Sequence, residues 1–193
     1  MMRRRAVVEA LLADRGELLL VAGLGSTVWD CTAAGDHPLS FPMWGAMGNA
    51  AMIGLGLALS QPGRRVLVVT GDGEMLMGLG ALATIGVQKP RNLSIVVIDN
   101  ERYGETGMQA THTASGVDLA KAALACGFGA AMQLRLPADL AALRTEVHAG
   151  PGPLLAQVKV MAEKLPLVLP PRDGGVLKAR FRRALLGEGA DLD

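Results

Sequence analysis

"VLVVTGDGEMLMGLGALATIGVQKPRNLSIVVIDNERYG", Val66 to Gly104, sets two apolar, β-branched runs on either side of a glycine-rich segment. Runs of this kind, with no polar alternation, read as strands buried on both faces, which is the habit of a parallel sheet. The helical spacing across 74–87 supplies the crossover between them, giving a strand–helix–strand unit. Immediately after the first run come Gly71, Asp72 and Gly73; immediately after the second come Asp99 and Asn100. In an open parallel sheet the carboxyl ends of the strands are where ligands bind.

Outward from that unit the alternation continues. Residues 4–15 carry one apolar helical stripe and predict an amphipathic helix. Residues 17–22 predict a short strand running into a loop from Gly23 to about Trp44. Residues 47–60, "MGNAAMIGLGLALS", predict a helix that carries Gly48, Gly54 and Gly56. Glycine in a helix costs about 1 kcal/mol against alanine, so several together imply close approach to the helix backbone. Gln61-Pro62-Gly63 reads as a turn. Helices are expected near 117–125 and 137–148, and strands near 130–134 and at 154–160. The whole predicts an α/β protein, a three-layer α/β/α arrangement on a mainly parallel sheet, over residues 1–165. From Pro166 the pattern breaks. Residues 166–193 are expected to form an extension, with a basic segment "LKARFRRALL" and an acidic tip, that packs on the surface or on a partner.

Composition narrows the function classes. The chain has 193 residues, half of them hydrophobic, and a formal net charge of +1. That is one sizeable domain, with no bulk electrostatic attraction for nucleic acid. Cys31 and Cys126 are the two cysteines and form no CxxC pair, which argues against a disulfide scaffold, an iron–sulfur cluster or a structural zinc site. Two buried free thiols are the expectation, in a cytoplasmic protein. The basic start "MMRRR" leads into a helix interrupted by Glu9 and Asp14, not into a secretory signal, and no apolar run is long enough for a membrane span.

The chemistry gathers at the predicted strand ends. Glycines let backbone N–H groups approach an anion, and a helix starting near Glu74 would point its positive end at the same place. Asp72 is out of place against a phosphate unless a divalent cation lies between them. Magnesium takes hard oxygen donors, often one or two protein groups with phosphate oxygens. Asp72 offers a carboxylate and Asn100, 28 positions later, a neutral carbonyl oxygen. Taken singly, Asp72 would cap a helix and Asn100 would open a turn; together, at successive strand ends, they favour the metal.

"GDG" followed at this distance by Asn resembles the signature of the thiamine diphosphate-dependent enzymes. The resemblance covers about residues 16–160 and matches their diphosphate-binding domain. It implies the thiamine diphosphate-binding fold and Mg²⁺ held by Asp72, the side chain of Asn100 and the backbone carbonyl of Arg102. Asp99 stands where the family more often has Asn, and Arg102 where it more often has Gly. "WGAMGNA", Trp44 to Ala50, resembles the segment that grips the aminopyrimidine. There the Gly45 carbonyl would accept the 4′-amino group and Met47 would wedge between the two rings. Ser26, or its neighbour Thr27, matches the hydroxyl that holds diphosphate. Gly71, Gly73, Glu74, Tyr103 and Gly104 complete the implied cofactor contacts.

The same resemblance says what is missing. The family needs a glutamate at N1′ of the pyrimidine, on a second domain that this chain is too short to hold. A separate pyrimidine-side subunit would supply it, in a heterodimer, a heterotetramer or a larger assembly. "GALATIG" and "DNERYGETGMQATHT" look most like sulfopyruvate decarboxylase β subunits and phosphonopyruvate decarboxylases, which remove CO₂ from a small 2-oxo acid with an anionic group at C3. In that case Thr106, Gln109 and His112, with Thr111, would wall the substrate pocket and carry catalytic roles. Three alternatives stay open: a carboligase subunit like that of acetolactate synthase, a non-catalytic thiamine diphosphate-binding module, and a 2-oxoacid:ferredoxin oxidoreductase β subunit, which the sparse cysteines disfavour.

Overall fold

In the computed structural model, residues 1–191 are described; the last two residues of the acidic tip lie outside them. Six strands form one sheet, every neighbouring pair parallel. They are β1 (Leu19–Ala22), β2 (Ser40–Pro42), β3 (Val66–Gly71), β4 (Leu93–Asp99), β7 (Ala130–Leu134) and β8 (Leu154–Lys159), in the order β2-β1-β3-β4-β8-β7. Two further short strands, β5 (Arg102–Tyr103) and β6 (Gln109–Ala110), form a separate antiparallel hairpin after β4.

The period of two along each strand divides the side chains between two cores. Val66 and Val68 of β3 pack with α3 (Ala50–Ser60), α4 (Asp72–Met77), α5 (Ala81–Gln88) and α6 (Leu119–Ala125) on one face. Leu67 and Val69 pack with α1 (Arg4–Leu12), α2 (Ser26–Ala33) and α7 (Leu140–Ala149) on the other. The result is the three-layer α/β/α sandwich that the buried, unalternating strands imply. The chain runs from β1 outward to β2 and then back to β3 on the other side of β1. The sheet therefore reverses direction between β1 and β3, and the crevice outside their carboxyl ends is a topological switch point.

Close approach explains one of the glycines within α3. A Cβ on Gly54 would lie 2.2 Å from Val68 Cγ2, so the helix backbone rests directly on β3. Gly56 faces open space, and Gly48 precedes the helix.

Three expectations need correction. The segment 23–44 is not a loop throughout: Gly25, at φ 84°, turns the chain into α2, and β2 adds an edge strand. The sequence of α2 carries no long apolar stripe, and its stability is tertiary. Asp30 is buried at its centre and ion-paired to Arg4 and Arg5 of α1 at 2.7 and 3.1 Å. The helix expected at 74–87 starts at Asp72 and breaks at 78–80, where Gly78 presses on the Gly48 carbonyl so closely that a Cβ would lie 2.0 Å from its oxygen. Of the two thiols, Cys31 is buried but Cys126 only half so.

Beyond β8 the chain runs without helix or strand to α8 (Gly174–Leu186), apart from a bridge between Val160 and Met2. Leu177 and Phe181 of α8 are buried, and Phe181 meets Phe41 edge-on at 5.6 Å. Arg180 makes a two-pronged ion pair with Asp36, and the Trp44 indole donates to the Pro171 carbonyl at 2.8 Å. The basic segment thus docks on this chain's own β2 edge.

Candidate active site

Four loops meet at the switch point: Gly23–Gly25 after β1, the turn before α3, the β3–α4 junction and the hairpin after β4. Between them lies a cleft of about 290 Å³. Ser26, Met47, Gly71, Asp72, Gly73, Glu74, Asn100, Arg102, Tyr103, Gly104 and Thr106 all line it. Ser26 does so from the first turn of α2, the helix that the sequence reading missed.

Asp72 is the electrostatic centre. It is 2% exposed, and Thr111 donates to its Oδ2 at 2.5 Å. Burial pushes its pKa up to about 6, against the bond from Thr111, and the nearby Asp99 carboxylate adds to the rise. A cation beside it would relieve that cost. Asn100 does open a turn: its Oδ1 accepts the Arg102 N–H at 2.9 Å. An amide oxygen has a second lone pair, so this bond leaves it able to take a metal. Among the described residues no group of three or more His, Cys, Asp or Glu gathers around one point. Asp72, the Asn100 amide oxygen and the backbone carbonyls beside them are a hard-oxygen set that fits Mg²⁺ and leaves positions for phosphate oxygens and water. Gly73 keeps the wall thin, since a Cβ there would meet the Tyr103 ring at 2.7 Å.

Glu74 is not at the helix start but inside the first turn of α4, and it is buried. Thr70 donates to its Oε2 at 2.8 Å. Its carboxylate lies hard against Gly23, and burial raises its pKa against the pull of Thr70 and the amides of Gly48, Leu24 and Ala50. It ties the loop after β1 to the turn before α3. That turn holds Met47 between two left-handed residues, Ala46 at φ 58° and Gly48 at φ 95°, closed by the Asn49 N–H donating to the Ala46 carbonyl at 3.1 Å.

Four expected residues lie outside the cleft lining. Thr27 is buried, and its hydroxyl donates to the Gly23 carbonyl at 2.6 Å, which leaves half-buried Ser26 as the hydroxyl of the pair on the cleft. Gly45 is exposed beside the Met47 turn. Gln109 and Thr106 bond each other across the hairpin: the Thr106 hydroxyl donates at 3.0 Å, and the Gln109 amide returns a bond to the Thr106 carbonyl at 3.2 Å. His112 is exposed at the start of a short 3₁₀ turn (His112–Ser115) beyond β6.

Reading the sequence missed Thr113, Asp99, Gln157 and Lys159, which form a buried polar cluster behind Asp72. The available signal was a lysine and a glutamine inside an otherwise apolar strand, "LLAQVKV".

Residues 25–158 match the profile of the thiamine pyrophosphate enzyme C-terminal TPP binding domain. The chain belongs to this family. The sulfopyruvate decarboxylase subunit beta of Methanothermobacter thermautotrophicus is 36% identical over 191 residues, 99% of this chain and 100% of that one. The subunit of the same name in Methanocaldococcus jannaschii is 40% identical over 126 residues, 65% of this chain and 66% of that one. The phosphonopyruvate decarboxylase of Streptomyces viridochromogenes is 40% identical over 158 residues, 81% of this chain but only 39% of that enzyme. The benzoylformate decarboxylase structure from Polynucleobacter necessarius shares the fold, with a TM-score of 0.68 at 24% identity, over 86% of this chain and 34% of that one. The chain thus spans the full length of the Methanothermobacter subunit, and 39% and 34% of the phosphonopyruvate decarboxylase and benzoylformate decarboxylase chains. No helix among the described residues is long and apolar enough to cross a membrane.

Proposed function

We propose that this chain is the diphosphate-side subunit of a cytoplasmic, Mg²⁺- and thiamine diphosphate-dependent decarboxylase. Its substrate is a small 2-oxo acid with an anionic group at C3, of the sulfopyruvate or phosphonopyruvate class. One observation carries the reading: a carboxylate 2% exposed, Asp72, lines the same cleft as the Asn100 side chain and the glycine backbone at the ends of β3 and β4. The names of the relatives support the reaction and the substrate class.

Bound thiamine diphosphate supplies a carbon nucleophile and an electron sink. This chain's residues do the holding. Asp72, the Asn100 side chain and the Arg102 carbonyl would hold Mg²⁺. Ser26 and the Gly71–Gly73 backbone would hold the diphosphate, with Glu74, Tyr103 and Gly104 around it. Met47, on its constrained turn, and the Gly45 carbonyl would fix the ring system. Thr106 and Gln109 on the hairpin, and His112 just beyond it, would face the substrate once the site is closed by a partner. Residues 1–165 are the unit that does this, and 166–193 are its extension.

An exposed apolar face supports the partner. Met52 and Leu59 on α3, Met77 and Leu79 at the α4–α5 junction and Val87 on α5 are all more than a third exposed. Met47, Met52, Met77 and Ala81 line one groove there, continuous with the cleft. A patch of this kind marks an interaction surface. A pyrimidine-side subunit seated on it would bring the missing glutamate, in a heterodimer or a multiple of one.

The complex with that subunit is the material for the substrate test. CO₂ release from sulfopyruvate and phosphonopyruvate should exceed that from pyruvate by at least about tenfold in kcat/KM, the minimum effect of one well-formed charge contact. Equal use of pyruvate, with an acetohydroxy acid as product, would favour the carboligase instead.

Met47→Ala separates geometry from affinity. The variant should slow exchange of the cofactor C2 proton with deuterium by about 10²-fold, the cost of a misplacement of about 1 Å, while cofactor affinity changes far less. Unchanged exchange would remove Met47 from the mechanism.

A further inference from the structure

β4 and β8 end side by side, and their last residues, Asp99 and Lys159, are direct partners across the sheet. The Lys159 ammonium lies 2.8 Å from Asp99 Oδ2 and 2.7 Å from Glu101 Oε1, with its side chain 3% exposed. Burial alone would push it down; the bonds from Asp99 and Glu101 outweigh that and hold it above its usual value. Asp99 Oδ2 also accepts from Gln157 Nε2 at 2.6 Å, and Oδ1 accepts from the Thr113 hydroxyl at 2.8 Å. Thr113 Oγ1 is 2.9 Å from Thr111 Oγ1, and Thr111 donates to Asp72 Oδ2 at 2.5 Å. Polar side chains therefore run without a break from Lys159 to the cleft carboxylate.

We infer that Lys159 is a positioning residue for Asp72, acting through Asp99, Thr113 and Thr111. This rests on the reading of Asp72 as the metal-side carboxylate. Asp99 Oδ1 accepts from Thr113, so the Thr113 proton is turned toward Asp99. Thr113 then has no proton to give Thr111, and the Thr111 proton goes to the Asp72 carboxylate in preference to the neutral Thr113 oxygen, which fixes one carboxylate oxygen and the plane of the group. Lys159 makes this arrangement affordable by cancelling a charge that would otherwise be a second buried carboxylate in the same cluster. Without it Asp99 loses the charged partner that holds its Oδ2, and with it the orientation that places Oδ1 under the Thr113 hydroxyl. Removing both charges together should be tolerated, because an Asn at 99 still offers an oxygen to Thr113.

The test uses the full chain co-purified with its partner subunit, thiamine diphosphate and Mn²⁺ as the probe ion, with free and bound Mn²⁺ separated by EPR. Thr113→Val cuts the chain of bonds without touching a charge; Lys159→Met removes the cation; Lys159→Met with Asp99→Asn removes the pair. Each of the first two should weaken Mn²⁺ by about 10- to 100-fold, the usual effect of losing an outer partner of a metal ligand, and the double variant should return near the parent value. Melting temperatures of the metal-free proteins report the purely structural part. A Lys159→Met or Thr113→Val protein that binds Mn²⁺ as the parent does overturns the proposal, whatever its melting temperature. So does a double variant that regains stability but not Mn²⁺ affinity. Should Lys159→Met fail to fold, the other two variants decide. A parent complex that binds no Mn²⁺ overturns the reading of Asp72 itself, and is seen before any variant is made.

Discussion

Asp72→Ala is expected to abolish Mg²⁺-dependent retention of thiamine diphosphate while leaving the fold intact. The loss should exceed the roughly 10²-fold that follows from changing an outer partner of a metal ligand, because the carboxylate itself goes. The fold should survive because the carboxylate is a burden to the metal-free protein. Its folded pKa of about 6 lies above the unfolded value of 3.8. For an acid shifted in this direction, the favourable contribution is present below the unfolded value and is lost as pH rises through the folded one. A shift of this size corresponds to about 3 kcal/mol at neutral pH. The metal-free parent should therefore melt at a lower temperature at pH 7.5 than at pH 5, a gap that Mg²⁺ with cofactor narrows and Asp72→Ala reduces. Buried Glu74, raised in the same direction, leaves part of the gap in the variant. Cofactor retention by Asp72→Ala equal to that of the parent complex, measured by calorimetry with and without chelator, would show the metal assignment to be wrong.

The second large effect is the partner's. Purified alone, the chain should bind thiamine diphosphate weakly and release no measurable CO₂ from sulfopyruvate or phosphonopyruvate. Adding the pyrimidine-side subunit should raise turnover by at least about 10²- to 10⁴-fold, the usual contribution of a placed general acid–base group. The carboxylates of this chain on the cleft are all engaged or misplaced for the role. Asp72 accepts from Thr111, Glu74 accepts from Thr70 and packs on Gly23, and Glu105 lies over Gly25 at the mouth. Robust turnover by the isolated chain, with a single band on a gel, would overturn the two-subunit reading.

The sheet was legible because its strands are buried on both faces and carry no polar alternation. "VLVVT" and "LSIVVID" could be little else, and the glycine-rich ends followed from them. α2 was not legible. Its stability comes from Asp30 meeting two arginines of α1, a contact that no local pattern announces. The break between α4 and α5 was hidden for a related reason: the pattern across 74–87 reads as one helix until Gly48 is seen to press on Gly78. At the site, Asp72 and Asn100 stood out only as a pair, at the ends of successive strands, and Met47 only by the resemblance of "WGAMGNA"; the structure brings all three to one cleft. Thr27 and Ser26 could not be told apart, since adjacent residues at a helix start face opposite ways only once the helix is known. The cluster of Asp99, Thr113, Gln157 and Lys159 joins residues up to 60 positions apart, and only the register of β4 against β8 brings its charges together.

The central claim is that this chain holds the metal and diphosphate while another chain acts on the pyrimidine. A crystal structure of the complex with thiamine diphosphate and Mg²⁺ tests it most directly, by the identity of the carboxylate nearest N1′. The expected result is a glutamate of the partner subunit within hydrogen-bond distance of N1′, with Asp72, Asn100 and the Arg102 carbonyl on the metal. Glu74 or Glu105 of this chain at N1′, or a metal bound away from Asp72, would contradict it.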